Sequence, residues 1–76
     1  MKNLKLLINE HSKILENNPY CYFELSYTRQ TEWIVWLCSK PKEDDPNREV
    51  LAYGQGSTVN IAARNALHKF MSKMEV

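Results

Sequence analysis

Two neighbouring runs of aromatic and β-branched residues constrain the fold of this chain more than any other feature. The runs are YCYFELSYT, residues 20–28, and TEWIVWLCS, residues 31–39, and only Arg29 and Gln30 separate them. Such residues are enriched in β-strands, and two strands with so short a connection pair as an antiparallel hairpin. A tight turn centred on Arg29 and Gln30, or a four-residue loop around them, gives the same register.

That register predicts which side chains share a face of the hairpin. Phe23 opposes Trp36 and Cys21 opposes Cys38 on the expected core face, together with Leu25 and Ile34. The other face is unusually apolar for a surface that meets water. An exposed apolar patch is typical of a protein contact or a homodimer interface, unless the long loop or the opposite register covers it. Its candidate interface residues are Tyr22, Trp33, Val35 and Leu37.

Amphipathic helices are predicted on both sides of the strands. Apolar residues recur at three- and four-residue spacing over residues 4–16, and again from Ser57 or Thr58 to about Met74. Asn3 is the candidate N-cap of the first helix. The Asn-Asn-Pro motif that follows should end this helix, because proline disfavours the α conformation in the residue before it.

A third strand, REVLAYG at residues 48–54, follows the polar loop KPKEDDPN. The predicted fold is therefore one α+β domain over residues 1–76, in the order α-β-β-β-α. A three-stranded antiparallel sheet with both helices packed on one face buries every apolar stripe except the outer one. With 76 residues, the chain has room for one thin core.

Charge and hydropathy exclude several function classes. Ten basic and nine acidic residues are scattered and leave a formal charge of +1, which gives no support to tight nucleic-acid binding. No apolar run approaches the roughly 20 residues of a membrane span. The first residues lack the apolar core of a signal peptide, so we expect a cytoplasmic protein without a membrane partner.

Catalytic and metal-binding motifs are not found. The sequence lacks a nucleophile elbow, a phosphate-binding P-loop and a zincin motif, so we expect no enzyme activity, cofactor or small-molecule substrate. Cys21 and Cys38 lack the close spacing of zinc ligands and are expected to be buried free thiols. His11 is expected to pack against the core, and His68 to be solvated.

Four short segments, taken in order, resemble the double-stranded RNA-binding domain. They are LINEH at residues 7–11, NPYCYFEL at 18–25, AYGQGST at 52–58, and the pair Ala62 and Ala66 in the closing helix. The resemblance covers nearly the whole chain. It implies the same α-β-β-β-α fold and a grip on A-form duplexes by shape, across two minor grooves and the phosphates between them.

The resemblance also implies which residues meet RNA. In the family, the first helix, the hairpin loop and the start of the last helix make the contacts. Leu6, at one matching position, cannot hydrogen-bond, and the hairpin loop lacks the family's Gly-Pro-x-His element. The remaining candidates are Asn3, Glu10, Arg29, Gln30, Thr58, Asn60 and Arg64.

The family's strongest phosphate contacts are missing. Its Lys-Lys-x-Ala-Lys pattern is replaced by Val-Asn-Ile-Ala-Ala at residues 59–63. Those positions are expected to face solvent, so the fold survives their loss. Each phosphate contact contributes about 0.9 to the salt dependence of binding, so three absent lysines predict weak or attenuated binding. The alternative function is a protein-interaction or homodimer module built on the same fold.

The AYGQGST segment has two interpretations. Gly54 and Gly56 permit unusual φ angles, and Ser57 or Thr58 can cap the helix, which gives the segment a structural role. A helix N-terminus also favours anions, which would make the same segment a phosphate contact.

Overall fold

The computed structural model describes residues 2–74, with the side chains of residues 2–72. It confirms the predicted α-β-β-β-α order and α+β class. The sheet is antiparallel throughout, with strand order β1-β2-β3. Within the described residues, neither helix is long and apolar enough to cross a membrane. The elements are α1 Lys2–Leu15, β1 Tyr22–Thr28, β2 Glu32–Cys38, β3 Val50–Gly56 and α2 Val59–Met74.

The sequence predicts the C-terminal end of α1 correctly but not its N-terminal cap. The helix stops where Asn-Asn-Pro predicts, and the backbone N–H groups of Asn17 and Asn18 donate to the Ile14 carbonyl at 3.0 and 2.8 Å. The predicted cap at Asn3 is wrong, because Asn3 lies inside the first turn of α1. Its side chain bonds to α2 instead of to its own helix.

Both helices pack on one face of the sheet, as predicted. A single core cluster joins Leu7 of α1 to Val35 and Leu37 of β2, and to Ala62 and Ala66 of α2. The two alanines matched to the closing helix are fully buried. The core is therefore one layer between the sheet and the helices.

Gly54 allows α2 to lie directly on β3. A Cβ atom at this position would overlap the Ala62 carbonyl oxygen and the Ala66 backbone nitrogen. A Cβ at Gly56 would come within 2.5 Å of Ile61 Cγ2. No described glycine has a positive φ, so the expected need for unusual backbone angles is wrong. The glycines serve close approach between a strand and a helix.

The hairpin loop is one residue longer than the tight turn allows. Thr28 pairs with Glu32, so Arg29, Gln30 and Thr31 form the loop. The Thr31 N–H donates to Thr28 Oγ1 at 3.0 Å, and Glu32 takes a left-handed φ of 60°. A left-handed residue commonly accompanies a three-residue hairpin loop.

This extra residue exchanges the two faces of β2. Phe23 opposes Leu37 instead of Trp36, and Tyr22, not Cys21, opposes Cys38. A one-residue slip moves every side chain of a strand to the other face. The predicted core positions of Trp36 and Ile34 are therefore wrong.

The predicted interface patch changes with the register. Val35 and Leu37 are 0 % exposed, and Trp33 packs against the core, so none of the three lies on the outer face. Of the four candidates, Tyr22 alone points outward. The outer face instead carries Tyr22, Glu24, Ile34, Trp36 and Tyr53.

The left-handed residue that follows the loop, Glu32, gives a stability prediction. An L-residue in this conformation costs roughly 1–2 kcal/mol, which glycine avoids at the expense of greater freedom in the unfolded chain. Glu32→Gly should raise the free energy of unfolding by about 0.5–1 kcal/mol in urea titrations. Glu32→Ala removes the same charge but keeps Cβ, and should give no gain. An equal gain from both variants would contradict the backbone explanation.

The contact between β3 and α2 gives a second stability prediction. Gly54→Ala should lower the free energy of unfolding by about 3 kcal/mol or more, because backbone atoms of α2 cannot move away from a new methyl group. Ser57→Ala, at an exposed site just beyond β3, should change it by less than about 0.5 kcal/mol. A mild effect of Gly54→Ala would show that the helix does not rest on this strand.

Candidate RNA-binding end and outer-face pocket

The sheet topology brings the hairpin loop beside the start of α2. Trp33, just after the loop, pairs with Gly56, the last residue of β3. The Gln55 side-chain amide donates to the Thr31 carbonyl at 2.7 Å. Because α2 begins at Val59, the loop and the start of this helix share one end of the sheet, called here the loop end.

The start of α1 reaches the same end through two asparagines. The Asn3 side-chain amide donates to Asn60 Oδ1 at 3.2 Å, and the Asn3 backbone N–H approaches the same oxygen at 3.4 Å. Both residues are candidates for RNA contact, from opposite ends of the sequence. The structure thus gathers all three segments that the resemblance assigns to RNA.

Thr58 caps α2, as one interpretation of its motif predicts. Its Oγ1 accepts the Ile61 N–H at 3.1 Å, and its carbonyl accepts the Ala62 N–H at 3.0 Å. This is the N-cap geometry that satisfies a free donor of the first turn. A phosphate contact by the same residue stays a prediction.

The three positions that carry lysine in the family differ in exposure. Asn60 is exposed, Val59 is half-buried and Ala63 is fully buried. The expectation that all three face solvent is therefore wrong for Ala63. A lysine at residue 63 would bury its charge in this chain, so the family pattern does not fit here unchanged.

The remaining RNA candidates divide into two groups. Arg29 and Gln30 are exposed in the hairpin loop, and Arg64 is exposed about one turn beyond Asn60 on α2. Glu10 lies two turns along α1 from Asn3 and forms an ion pair with Lys13 at 3.2 Å. Its carboxylate is thus partly occupied, and its negative charge opposes a nearby phosphate.

Lys2 is a further exposed cation that the sequence interpretation missed. It precedes Asn3 in the first turn of α1, next to the contact with Asn60. The sequence signal was its position beside Asn3. Recognising it required knowing that Lys2 lies in α1.

The outer face of the sheet carries a pocket of about 140 Å³. Its lining includes the cross-strand pair of Glu24 and Trp36, and the Trp36 ring lies 4.3 Å from that of Tyr53 between centroids. Part of its wall comes from the loop between β2 and β3, at the end of the sheet opposite the loop end. The lining residues are Tyr22, Glu24, Trp36, Pro41, Glu43 and Arg48.

Hydrogen bonds fix three of the polar side chains in this pocket, those of Tyr22, Glu24 and Arg48. The Tyr22 hydroxyl donates to Glu24 Oε1. Arg48 donates from Nε to the Lys40 carbonyl at 3.1 Å and from Nη2 to Cys38 Sγ at 3.2 Å. The hydrogen bond to Glu24, followed by desolvation, raises the pKa of the Tyr22 phenol. Tyr22 therefore stays a neutral donor at neutral pH.

The cysteine and histidine side chains have structural surroundings. Cys21 and Cys38 are buried free thiols, and burial raises the pKa of Cys21. His11 Nε2 bonds to the Cys21 carbonyl at 3.0 Å, and its ring stacks on Phe23 at 5.7 Å. His11 is thus a packed residue, as predicted, and His68 is exposed. Among the described residues, no group of three His, Cys, Asp or Glu side chains could hold a metal ion.

Comparison of this chain with protein-family models, curated proteins and solved structures gave no match.

The Tyr22–Glu24 contact predicts a pH effect. Glu24→Gln should lower the pKa of the Tyr22 phenol, because an amide does not resist the phenolate charge as a carboxylate does. The absorbance change on phenol ionisation measures this, and Tyr22→Phe identifies the transition. The pKa of the Tyr22 phenol is raised in the folded state. The contribution of this phenol to the free energy of unfolding is therefore complete below the unfolded pKa of about 10, and it is lost as the pH rises through the folded pKa. An unchanged Tyr22 transition in Glu24→Gln would contradict the contact.

Proposed function

We propose that the protein is a non-catalytic module that binds double-stranded RNA weakly, by shape, and acts in the cytoplasm. The observation that carries the proposal is the meeting of three segments at the loop end: the start of α1, the hairpin loop and the start of α2. The two buried free thiols are typical of a reducing compartment and support the location.

A-form RNA supplies surfaces that suit this arrangement. Its wide minor groove displays 2′-hydroxyls and base edges to polar side chains. Asn3 and the loop residues Arg29 and Gln30 would reach two successive minor grooves, as in the family that the sequence resembles. The start of α2, with Asn60 and Arg64, would lie over the phosphates between them, where the helix dipole favours negative charge.

The cations at the loop end limit the affinity. Lys2, Arg29 and Arg64 are exposed there. Three phosphate contacts give a slope of log K against log salt of about −2.7, well below that of strong duplex binders. We therefore expect binding at low salt in the micromolar range or weaker, without sequence preference.

The alternative function, a protein-interaction or homodimer module, has less support. Of its four predicted residues, Val35 and Leu37 are fully buried and Trp33 packs against the core. Tyr22 is the member that remains on the outer face. By contrast, most of the residues predicted for duplex binding lie at the loop end.

Arg64→Ala tests the proposed function. Fluorescence titration with an RNA duplex of about 20 base pairs at several salt concentrations should show weaker binding and a slope smaller in magnitude by about 0.9. Lys42→Ala removes the same charge from the loop between β2 and β3, far from the loop end, and should leave both unchanged. Absence of duplex binding by the unmodified protein at low salt would refute the proposal, as would equal effects of the two variants.

A further inference from the structure

The outer-face pocket combines three kinds of chemical group in a small space. Trp36 supplies a flat ring, Glu24 and Glu43 supply carboxylates, and Arg48 supplies a guanidinium. The volume of about 140 Å³ is below the roughly 300–1,000 Å³ of pockets for drug-sized ligands. A ligand for this site is therefore a single flat ring system or a single side chain.

The charges in this pocket do not neutralise one another in ion pairs. The ion pairs among the described residues are Lys13–Glu10 and Lys40–Asp45, and neither involves a pocket side chain. Within the described part of the chain, Glu43 also forms no hydrogen bond. Arg48 uses two of its five N–H donors, so three are free for a ligand.

This combination selects among ligand classes. A cationic side chain would suit the ring and the carboxylates, but Arg48 would repel it. A phosphate or carboxylate would suit Arg48, but Glu24 and Glu43 would repel it. A neutral flat ligand with donors on one edge and acceptors on another satisfies all three kinds of group.

Guanine is the base with that pattern. Its N1–H and N2–H₂ groups donate along one edge, and its O6 and N7 atoms accept along another, which an arginine can contact with two hydrogen bonds. Unstacked bases in RNA are recognised by stacking on aromatic rings and by hydrogen bonds to these edges. We propose that the outer-face pocket binds a guanine base, from a free nucleotide or from an unpaired position in single-stranded RNA.

Trp36, Glu24 and Arg48 each have an assigned role. The base stacks on Trp36, whose ring is held by Tyr53 at 4.3 Å. Glu24, fixed by the Tyr22 hydroxyl, accepts from N1–H and N2–H₂. Arg48, fixed by the Lys40 carbonyl and Cys38 Sγ, donates to O6 and N7. These side chains are held before a ligand arrives, which reduces the entropy lost on binding.

Nuclear magnetic resonance titration of the ¹⁵N-labelled chain tests this proposal separately from duplex binding. GMP should shift the Trp36 indole signal and the Glu24 amide, and AMP, CMP and UMP should bind at least about ten-fold more weakly. RNA duplex should instead shift Asn60 and Arg64. Short single-stranded oligonucleotides with one guanine or one adenine distinguish an RNA base from a free nucleotide as the ligand.

Conservative variants make the test specific. Glu24→Gln and Arg48→Lys should each weaken GMP binding about ten-fold and leave AMP binding unchanged, while Glu10→Gln on α1 should have no effect. Glu24→Gln keeps the size of the side chain, and amide spectra check that each variant is folded. The proposal is overturned if all four nucleotides bind equally, if GMP shifts nothing in the pocket, or if a methylated lysine peptide shifts it and GMP does not.

Discussion

The backbone contact between β3 and α2 determines the positions of the other elements. Because Gly54 has no Cβ, the helix lies on the strand with only the small side chains of Ala62 and Ala66 between them. Ser57 and Thr58 are the whole connection between these two elements, so the start of α2 cannot move away from the end of β3. The position of this helix terminus is a consequence of backbone packing.

The same packing restricts the chemistry available at the loop end. Ala63 is buried, so the last of the three positions that carry lysine in the resembled family is closed to charge here. Asn60 is exposed, and its side-chain oxygen accepts a hydrogen bond from the Asn3 amide. This neutral hydrogen bond joins the two helices. Under the proposed function, amides and three scattered cations would recognise the shape of a duplex better than its charge, which is the reason for expecting weak binding.

Much of the fold could be predicted from local signals. The periodicity of α2, the Asn-Asn-Pro stop and the cap at Thr58 each depend on a few neighbouring residues, and the structure confirms them. The faces of β2 could not be predicted in this way. Trp33, Ile34, Val35, Trp36 and Leu37 are all apolar, so alternation gives no preference for either face.

The candidate sites were predictable to different degrees. Asn3 and Asn60 were found as RNA candidates, but their mutual hydrogen bond joins residues 57 apart and has no signature in the sequence. The role of Gly54 was misassigned to its φ angle, because close approach depends on a helix that packs only in the folded state. The pocket residues Glu24, Trp36 and Arg48 were missed because the predicted register placed Trp36 on the opposite face, away from Glu24.

The length of the hairpin loop decides which tryptophan lies on the outer face of the sheet. A two-residue turn would place Trp36 in the core and Trp33 outside, whereas the observed three-residue loop does the reverse. Outside, Trp36 lies beside Glu24, Tyr53 and Arg48, a set that the opposite register would not bring together. The left-handed conformation of Glu32 therefore has a structural consequence beyond the turn, because it accompanies the register that forms the outer-face pocket.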